Sequence, residues 1–328
     1  MRFGLFGGPV RRDAMTSDAQ SYAAYIESVL EAERLGYYGA YLVEHHFTGR
    51  GQVSASLNLL AHLAGLTSKI RLGTAVVVVP WHNPALLAEQ AATVDLLSGG
   101  RLDLGLGRGY RDNEFAGFGV DRAQATARFD DTLAFLTKAW TTTERFSFKG
   151  EHWTLTDVVI EPKPIQQPHP PLWVGAASDA SISAAAQQGL CLFLDQVATV
   201  EEVAQRVSVY REAQHQAGRT SHPNDIALTR PLLLSRDENE RATLLESHLG
   251  TLEQLASSAA DNNHNPFYSV PEERRSRAEN GAILGPPSEC IKRLERLRDI
   301  GIHQVLFTRT SPDALGRFAA QVMPHLIR

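Results

Sequence analysis

Long apolar runs, clustered positive charge and cysteine are what this sequence has least of. No stretch approaches the roughly 20 apolar residues needed to span a bilayer. The chain opens on Met1-Arg2-Phe3-Gly4-Leu5-Phe6, which reads as a first strand rather than as a charged leader ahead of an apolar run. Lysine and arginine number 32 against 37 aspartates and glutamates, a formal net charge of −5, and no basic run accumulates. A surface for nucleic acid or anionic membrane is therefore not expected. Two cysteines, Cys191 and Cys290, stand far apart without the paired spacing of a zinc site or a disulfide framework. They are expected to be reduced, structural thiols. What these absences leave is small-molecule chemistry in the cytoplasm.

What is present is alternation. Short β-rich runs recur at Phe3 to Phe6, Gly39 to Val43, Ile70 to Val79, Leu102 to Leu106, Leu172 to Gly175, Leu190 to Leu194, Ile226 to Leu234 and Gln304 to Phe307. Helical patterns separate them. Ser21 to Leu35 sets Tyr22, Tyr25, Ile26, Val29 and Leu30 at helical spacing and stops at Gly36. Ser56 to Leu66 and Pro84 to Leu97 are apolar over most of their circumference, as helices that bury two faces are. Eight strands alternating with helices in 328 residues predict an α/β fold of the closed (β/α)8 barrel type. We expect a single domain over residues 1–328, with a variable insertion or lid within residues 220–285.

In a barrel the residues that follow each strand gather on one face and form the site. Here those residues are polar or glycine-rich. Glu44-His45-His46-Phe47 follows the second run, Pro80-Trp81-His82-Asn83-Pro84 the third, Gly105-Leu106-Gly107-Arg108-Gly109-Tyr110 the fourth, and Gly175-Ala176-Ala177-Ser178-Asp179 the fifth. Glycines let the backbone approach a ligand, and a guanidinium offers a planar fork to phosphate, which makes Arg108 with Gly107 and Gly109 a candidate anion site; a tight turn with a surface arginine is the plainer reading. Ala176, Ala177 and Ser178 would open a helix whose unpaired N–H groups suit phosphate, although such a serine ordinarily caps its helix. His82 either lines the pocket or shapes the following helix. His152 and Trp153 fit a β-hairpin ahead of the fifth strand, and His169 sits in a proline-rich connector. Metal binding by Glu44, His45 and His46 is disfavoured, because neighbours on an extended chain diverge and no further ligand has the right spacing.

In order and spacing these pieces resemble the bacterial luciferase-like, flavin-dependent monooxygenase family. Met1-Arg2-Phe3-Gly4, Glu44-His45-His46-Phe47-Thr48, Gly73-Thr74-Ala75-Val76-Val77, Ser98-Gly99-Gly100-Arg101-Leu102-Asp103-Leu104-Gly105-Leu106-Gly107-Arg108-Gly109 and Pro170-Pro171-Leu172-Trp173-Val174-Gly175-Ala176 carry the resemblance. It implies a barrel that takes reduced FMN from a separate NAD(P)H:flavin reductase, reacts it with O2 to a C4a-hydroperoxyflavin, and oxygenates a small organic substrate. By the same resemblance His45 and His46 match the paired active-site histidines, with His45 the stronger catalytic candidate and His46 orienting it or meeting substrate. Arg108 and the segment Ala176, Ala177 and Ser178 match the groups on the flavin phosphate. Ala75-Val76 matches a non-prolyl cis peptide under the flavin ring, and Gly107 stands where the light-emitting enzyme has a cysteine. Light emission is not implied.

An apolar enclosure suits such chemistry because it keeps water from a reactive intermediate, and Leu5, Phe6, Phe47, Trp81 and Val76 to Val79 are its expected walls. Two other readings fit the same barrel: a deazaflavin-dependent hydride-transferring oxidoreductase, and a non-catalytic flavin-binding protein. The polar stretch Asp261 to Asn280 is expected to be an irregular loop, with Phe267 and Tyr268 available to close over substrate. The two all-round apolar helices predict a homodimer, as the family's corresponding helices pack across a two-fold axis.

Overall fold

The computed structural model describes residues 1–11, 13, 15–257, 271–308 and 311–327, without the side chains of 254–257 and 271–272. Phe267 and Tyr268 lie outside the described residues. In chain order the elements are β1 Arg2–Gly7, α1 Asp18–Arg34, β2 Gly39–Leu42, α2 Ser56–Leu66, β3 Arg71–Thr74, β4 Val77–Val78, α3 Pro84–Leu97, β5 Leu102–Gly107, α4 Asp112–Phe118, α5 Ala125–Thr141, β6 Phe146–Lys149 and β7 Thr154–Val158. They continue with β8 Leu172–Gly175, α6 Asp179–Gln188, β9 Cys191–Leu194, α7 Val200–Gln216, β10 Ile226–Leu234, α8 Glu238–Ser257, α9 Pro271–Gly281, β11 Ile283–Gly285, α10 Pro287–Asp299, β12 Gln304–Thr308 and α11 Pro312–Gln321. The chain divides into two compact units, one of Gly7–Leu30 and Gly39–Val174, the other of Met1–Phe6, Glu31–Tyr38 and Gly175–Arg328.

In the first unit β2, β3, β5 and β8 lie side by side and parallel. Gly39 pairs with Arg71 and Leu42 with Thr74; Leu72 pairs with Leu102, and Leu104 with Leu172. β4 continues the β3 segment along β5, with Val77 opposite Leu106. The first half of these strands holds a buried polar network. Tyr41 Oη donates to Asp103 Oδ2 at 2.7 Å, and Arg71 forks onto the same carboxylate at 2.9 and 2.7 Å. The Tyr41 ring fills space that a side chain at Gly73 would need, since a Cβ there would stand 2.4 Å from it. Gln166, in the proline-rich connector, donates to Asp95 Oδ1 and to the Leu102 carbonyl. That connector is thus clamped to the strands. The expected hairpin is β6 with β7, and His152 and Trp153 lie in its turn, where their backbone N–H groups donate to Asp131.

In the second unit β9, β10, β12 and β1 are parallel neighbours. Leu192 stands opposite Ile226, Leu228 opposite Val305, and Phe3 opposite Val305 on the other edge of β12. Short β11 adds to the last residues of β10. Phe3, Phe307 and Phe318 form the aromatic centre, with ring centroids 4.7 to 5.8 Å apart, all buried. Four barrel strands in each unit make the eight of a closed (β/α)8 barrel. All eight predicted runs are these strands.

One expectation is corrected. Residues 271–281 form helix α9, although Glu272-Glu273-Arg274-Arg275 reads as too polar for one. The helix keeps one small apolar contact, Ala278, against Leu245, Leu249 and Leu284, while Arg277 pairs with Glu273 four residues earlier and with Glu202 of α7. Charge on the remaining faces is what a helix with one narrow buried stripe carries.

Candidate active site

β2 ends at Leu42, and the chain leaves it as non-repetitive backbone through Glu44, His45 and His46. Glu44 is buried, with only 2% exposure. Its Oε1 gathers four N–H groups: Val78 N at 3.4 Å, Trp81 Nε1 at 3.1 Å, His82 Nε2 at 2.9 Å and His46 Nε2 at 3.2 Å. Burial pushes the Glu44 carboxyl up, but hydrogen bonds from His46, His82 and Trp81 and the charge of His82 outweigh it and hold the group below its ordinary value. Glu44 is therefore a carboxylate. It can only accept, so the proton of both imidazoles is assigned to Nε2. His82 thus belongs to the cluster rather than merely leading into α3, where Asn83 does the capping with bonds from Ala85 N and Leu86 N.

His45 is held differently. Glu114, 1% exposed on the short helix α4, accepts the His46 backbone N–H at 2.9 Å with Oε1, and the same oxygen stands 3.3 Å from His45 Nδ1. We assign the His45 proton to Nδ1, which leaves the Nε2 lone pair without a partner among the described residues. The two adjacent histidines thus carry opposite tautomers, each fixed by its own buried acid. His45 Nδ1 stands against Glu114 and the His46 ring against Glu44.

α4 gives the cluster more than its acid. Phe115 meets Trp81 edge-on at 5.6 Å, and Phe118 stacks on Trp81 at 4.9 Å and meets His46 at 4.7 Å. Gly117 has no side chain because the Phe47 ring occupies the place; a Cβ there would lie 2.3 Å from it. Phe47 has a positive φ of 55°, the left-handed region that β-carbons disfavour, and it remains 58% exposed. α4 closes on Gly119 at φ 65°. Of the expected walls, Phe47 and Trp81 are in this assembly.

The peptide bond between Ala75 and Val76 is cis. Val76 faces Gly107 so closely that a Cβ at 107 would meet its Cγ2 at 2.3 Å. No cysteine fits there without Val76 moving. Gly109, at φ 73°, turns the chain after β5, and the exposed Arg108 beside it pairs with no carboxylate of the described residues. β8 runs out at Gly175, where the other unit begins, and there Ser178 caps α6, accepting from Ser181 N at 3.3 Å; Ala177 and Ser178 are exposed. Among the described residues no group of three or more His, Cys, Asp or Glu is arranged for a metal ion, and both imidazoles around Glu44 direct N–H bonds, not lone pairs, toward it.

Sequence reasoning missed Glu114, because nothing in the spacing ties residue 114 to residues 45 and 46. The available signal was an acid in the first turn of a short aromatic-rich segment directly after the arginine loop. The model of the luciferase-like monooxygenase family matches residues 1–304, and the chain belongs to that family of enzymes. The crystal structure of the monooxygenase RslO1 from Streptomyces bottropensis is similar over 99% of each chain, at 26% identity and a TM-score of 0.87. The oxygenase component of a flavin-dependent trigonelline monooxygenase from Acinetobacter baylyi is 34% identical over 58% of this chain and 52% of its own length. An FMNH2-dependent dimethylsulfone monooxygenase from Pseudomonas putida is 26% identical over 84% of this chain and 79% of its own. The chain spans about half the length of the first curated relatives it matches. Among the described residues no helix is long and apolar enough to cross a membrane.

Proposed function

We propose that this enzyme is the oxygenase component of a two-component system: it binds FMN reduced by a separate NAD(P)H:flavin reductase and uses O2 to oxygenate a small organic substrate. The observation that carries the reading is that the two adjacent histidines are held by different buried acids, His45 by Glu114 through Nδ1 and His46 by Glu44 through Nε2, which assigns them opposite tautomers. A cluster of this kind holds one imidazole as a base and the other as a fixed donor network, at the strand end where barrel enzymes work.

Reduced FMN would supply the electrons for oxygen activation. Arg108 fits its phosphate as an exposed guanidinium without a carboxylate partner among the described residues. In the other unit the α6 N-terminus, taken by itself, is a second candidate for a phosphate, through N–H groups beyond the one Ser178 caps. Ala75, Val76, Gly107 and Gly109 would give the flavin ring a side-chain-poor approach along β5. His45 Nε2 would accept a proton from the reacting centre, and Glu114 would stabilise the resulting imidazolium through Nδ1–H. His46, locked to Glu44, would hold the wall formed with Trp81 and Phe118 and exclude water. Trigonelline and dimethylsulfone, the compounds in two relatives' names, are chemically unlike, so neither is carried over.

The test is an anaerobic titration with reduced FMN and, in parallel, reduced riboflavin. FMN should bind at least about 10-fold more tightly, the scale of a charge-assisted phosphate contact. Arg108→Ala should remove that advantage. Equal affinities for the two flavins would sink the phosphate assignment, and hydride transfer from a reduced deazaflavin without O2 would replace the oxygenase reading. A homodimer is proposed on the exposed leucines of α2 and α3, Leu66, Leu86, Leu96 and Leu97, and light scattering that gave only the 36.0 kDa monomer would remove it.

A further inference from the structure

The second unit contains a cavity of about 460 Å³ that the proposed chemistry does not use. It opens between the start of α7, the end of α9, β11 and α10, within the 300–1,000 Å³ range usual for small-ligand sites. Among its lining residues is Arg230 of β10, which is 1% exposed. Its Nη1 donates to the carbonyls of Asp195 and Thr229 at 2.9 and 3.2 Å, and its Nη2 to the carbonyl of Ala198 at 2.7 Å. A guanidinium has five N–H donors, so these bonds leave donor capacity over. Burial pulls its pKa down to about 10, with Asp195 and Glu202 pulling the other way, and it remains a cation at neutral pH.

The charges around the cavity are unbalanced. Arg230, Lys292, Arg293 and Arg296 line it against Glu201 and Glu289. Arg293 is engaged by Glu289 at 2.8 Å and by the carbonyls of Glu279 and Ala282, which cancels that pair. Lys292 and Arg296 are exposed, stand one helical turn apart on α10, and pair with no carboxylate of the described residues. Three cations therefore face one carboxylate, Glu201. The start of α7 adds the N–H groups of Val200 and Glu201, left over because the capping box of Thr199 and Glu202 serves the Glu202 and Thr199 N–H groups.

We propose that this cavity binds a compact dianion, a phosphate monoester or a dicarboxylate, with Arg230 as the buried anchor and Lys292 and Arg296 at the rim. The excess of two positive charges sets the charge of the ligand, and the planar fork of a guanidinium is matched by paired oxygens on either group. None of these residues belongs to the histidine-bearing unit.

Calorimetric titration of the full chain with inorganic phosphate and, separately, with succinate tests this, at constant ionic strength set with chloride. Phosphate could also bind at Arg108, so the titration is repeated on Arg108→Ala. Binding should survive that change and fall about 10-fold or more in Lys292→Glu/Arg296→Glu, whose exposed substitutions leave the fold intact. Arg230→Met should abolish it, and if that variant unfolds, the rim variant decides. Preference for phosphate or for succinate tells the two ligand sources apart. Heat no greater than dilution with both probes would overturn the proposal. So would binding lost in Arg108→Ala and kept in the rim variant.

Discussion

The two ends of the strands in the histidine-bearing unit make opposite use of buried polar groups. At the first half, Asp103 meets the Arg71 fork on both oxygens and the Tyr41 hydroxyl on one of them, so its charge is matched by a cation and the strands β2, β3 and β5 are pinned in register. At the far end Glu44 and Glu114 meet only imidazole, indole and backbone N–H groups, and one imidazole nitrogen, Nε2 of His45, is left without a partner among the described residues. A closed network holds a structure, and an open one holds a reactive group ready. The difference predicts that damage at the first end appears as lost stability and damage at the second as lost turnover.

The largest effect should come from Asp103→Ala. It removes the carboxylate under the fork of the Arg71 guanidinium, whose side chain is only 20% exposed and keeps its bonds to Leu102 and Gln166, and it removes the acceptor of the Tyr41 hydroxyl's 2.7 Å bond. Breaking a buried pair in this way costs about 3 kcal/mol, to be read from urea unfolding at neutral pH. Turnover per folded molecule should be unchanged. A variant that keeps its stability but loses turnover would reverse the assignment of the two ends.

Glu114→Ala should do the opposite. Without its acceptor the His45 ring is no longer fixed with Nδ1 protonated, and misplacement of a reacting group by about 1 Å costs on the order of 10²-fold in rate. Stability should fall by about 1 kcal/mol, for the stranded His46 N–H. Glu114→Gln keeps an acceptor and should restore the tautomer, visible in the nitrogen chemical shifts of His45, while regaining only part of kcat. Full recovery of kcat in the Gln variant would remove any role for the charge.

How much of this contrast could be read from the sequence depended on how local each signal was. The eight strands and the bounds of α2 and α3 follow from runs of a few residues, and the histidine pair stands at a strand end by simple adjacency. The acids and aromatics that complete the cluster were not legible in the same way. Glu114 meets His45 across 69 positions, and His82 meets Glu44 across 38. Phe118 reads as one more apolar residue until the fold lays it on Trp81. α9 was missed because its helix is carried by one apolar residue and by charge pairs that composition alone reads as solvated loop.

The open end also predicts a pH signature. The folded-state pKa of Glu44 lies below its ordinary value of 4.5, so its hydrogen bonds contribute stability in full above that value. That contribution is lost as pH falls below 4.5 through the folded pKa. Thermal unfolding followed through the acid range should show the wild type losing more Tm than Glu44→Gln, which starts lower and descends less steeply. Parallel acid limbs would mean that Glu44 titrates alike in the folded and unfolded chain.

The smallest effect sharpens the closed end. Tyr41→Phe removes one hydroxyl from Asp103 but leaves the Arg71 fork and the packing of the ring over Gly73 in place, so both carboxylate oxygens keep a charged donor. A hydrogen bond lost under those conditions costs about 1 kcal/mol, with no buried acceptor left unmatched. In the Asp103→Ala background the same change should cost less, because the bond from the hydroxyl to Asp103 is already gone. A double-mutant cycle by urea unfolding measures that coupling directly. Additive losses would mean that Tyr41 stabilises the unit through its ring alone, and that the first end is held by one ion pair rather than by a closed network.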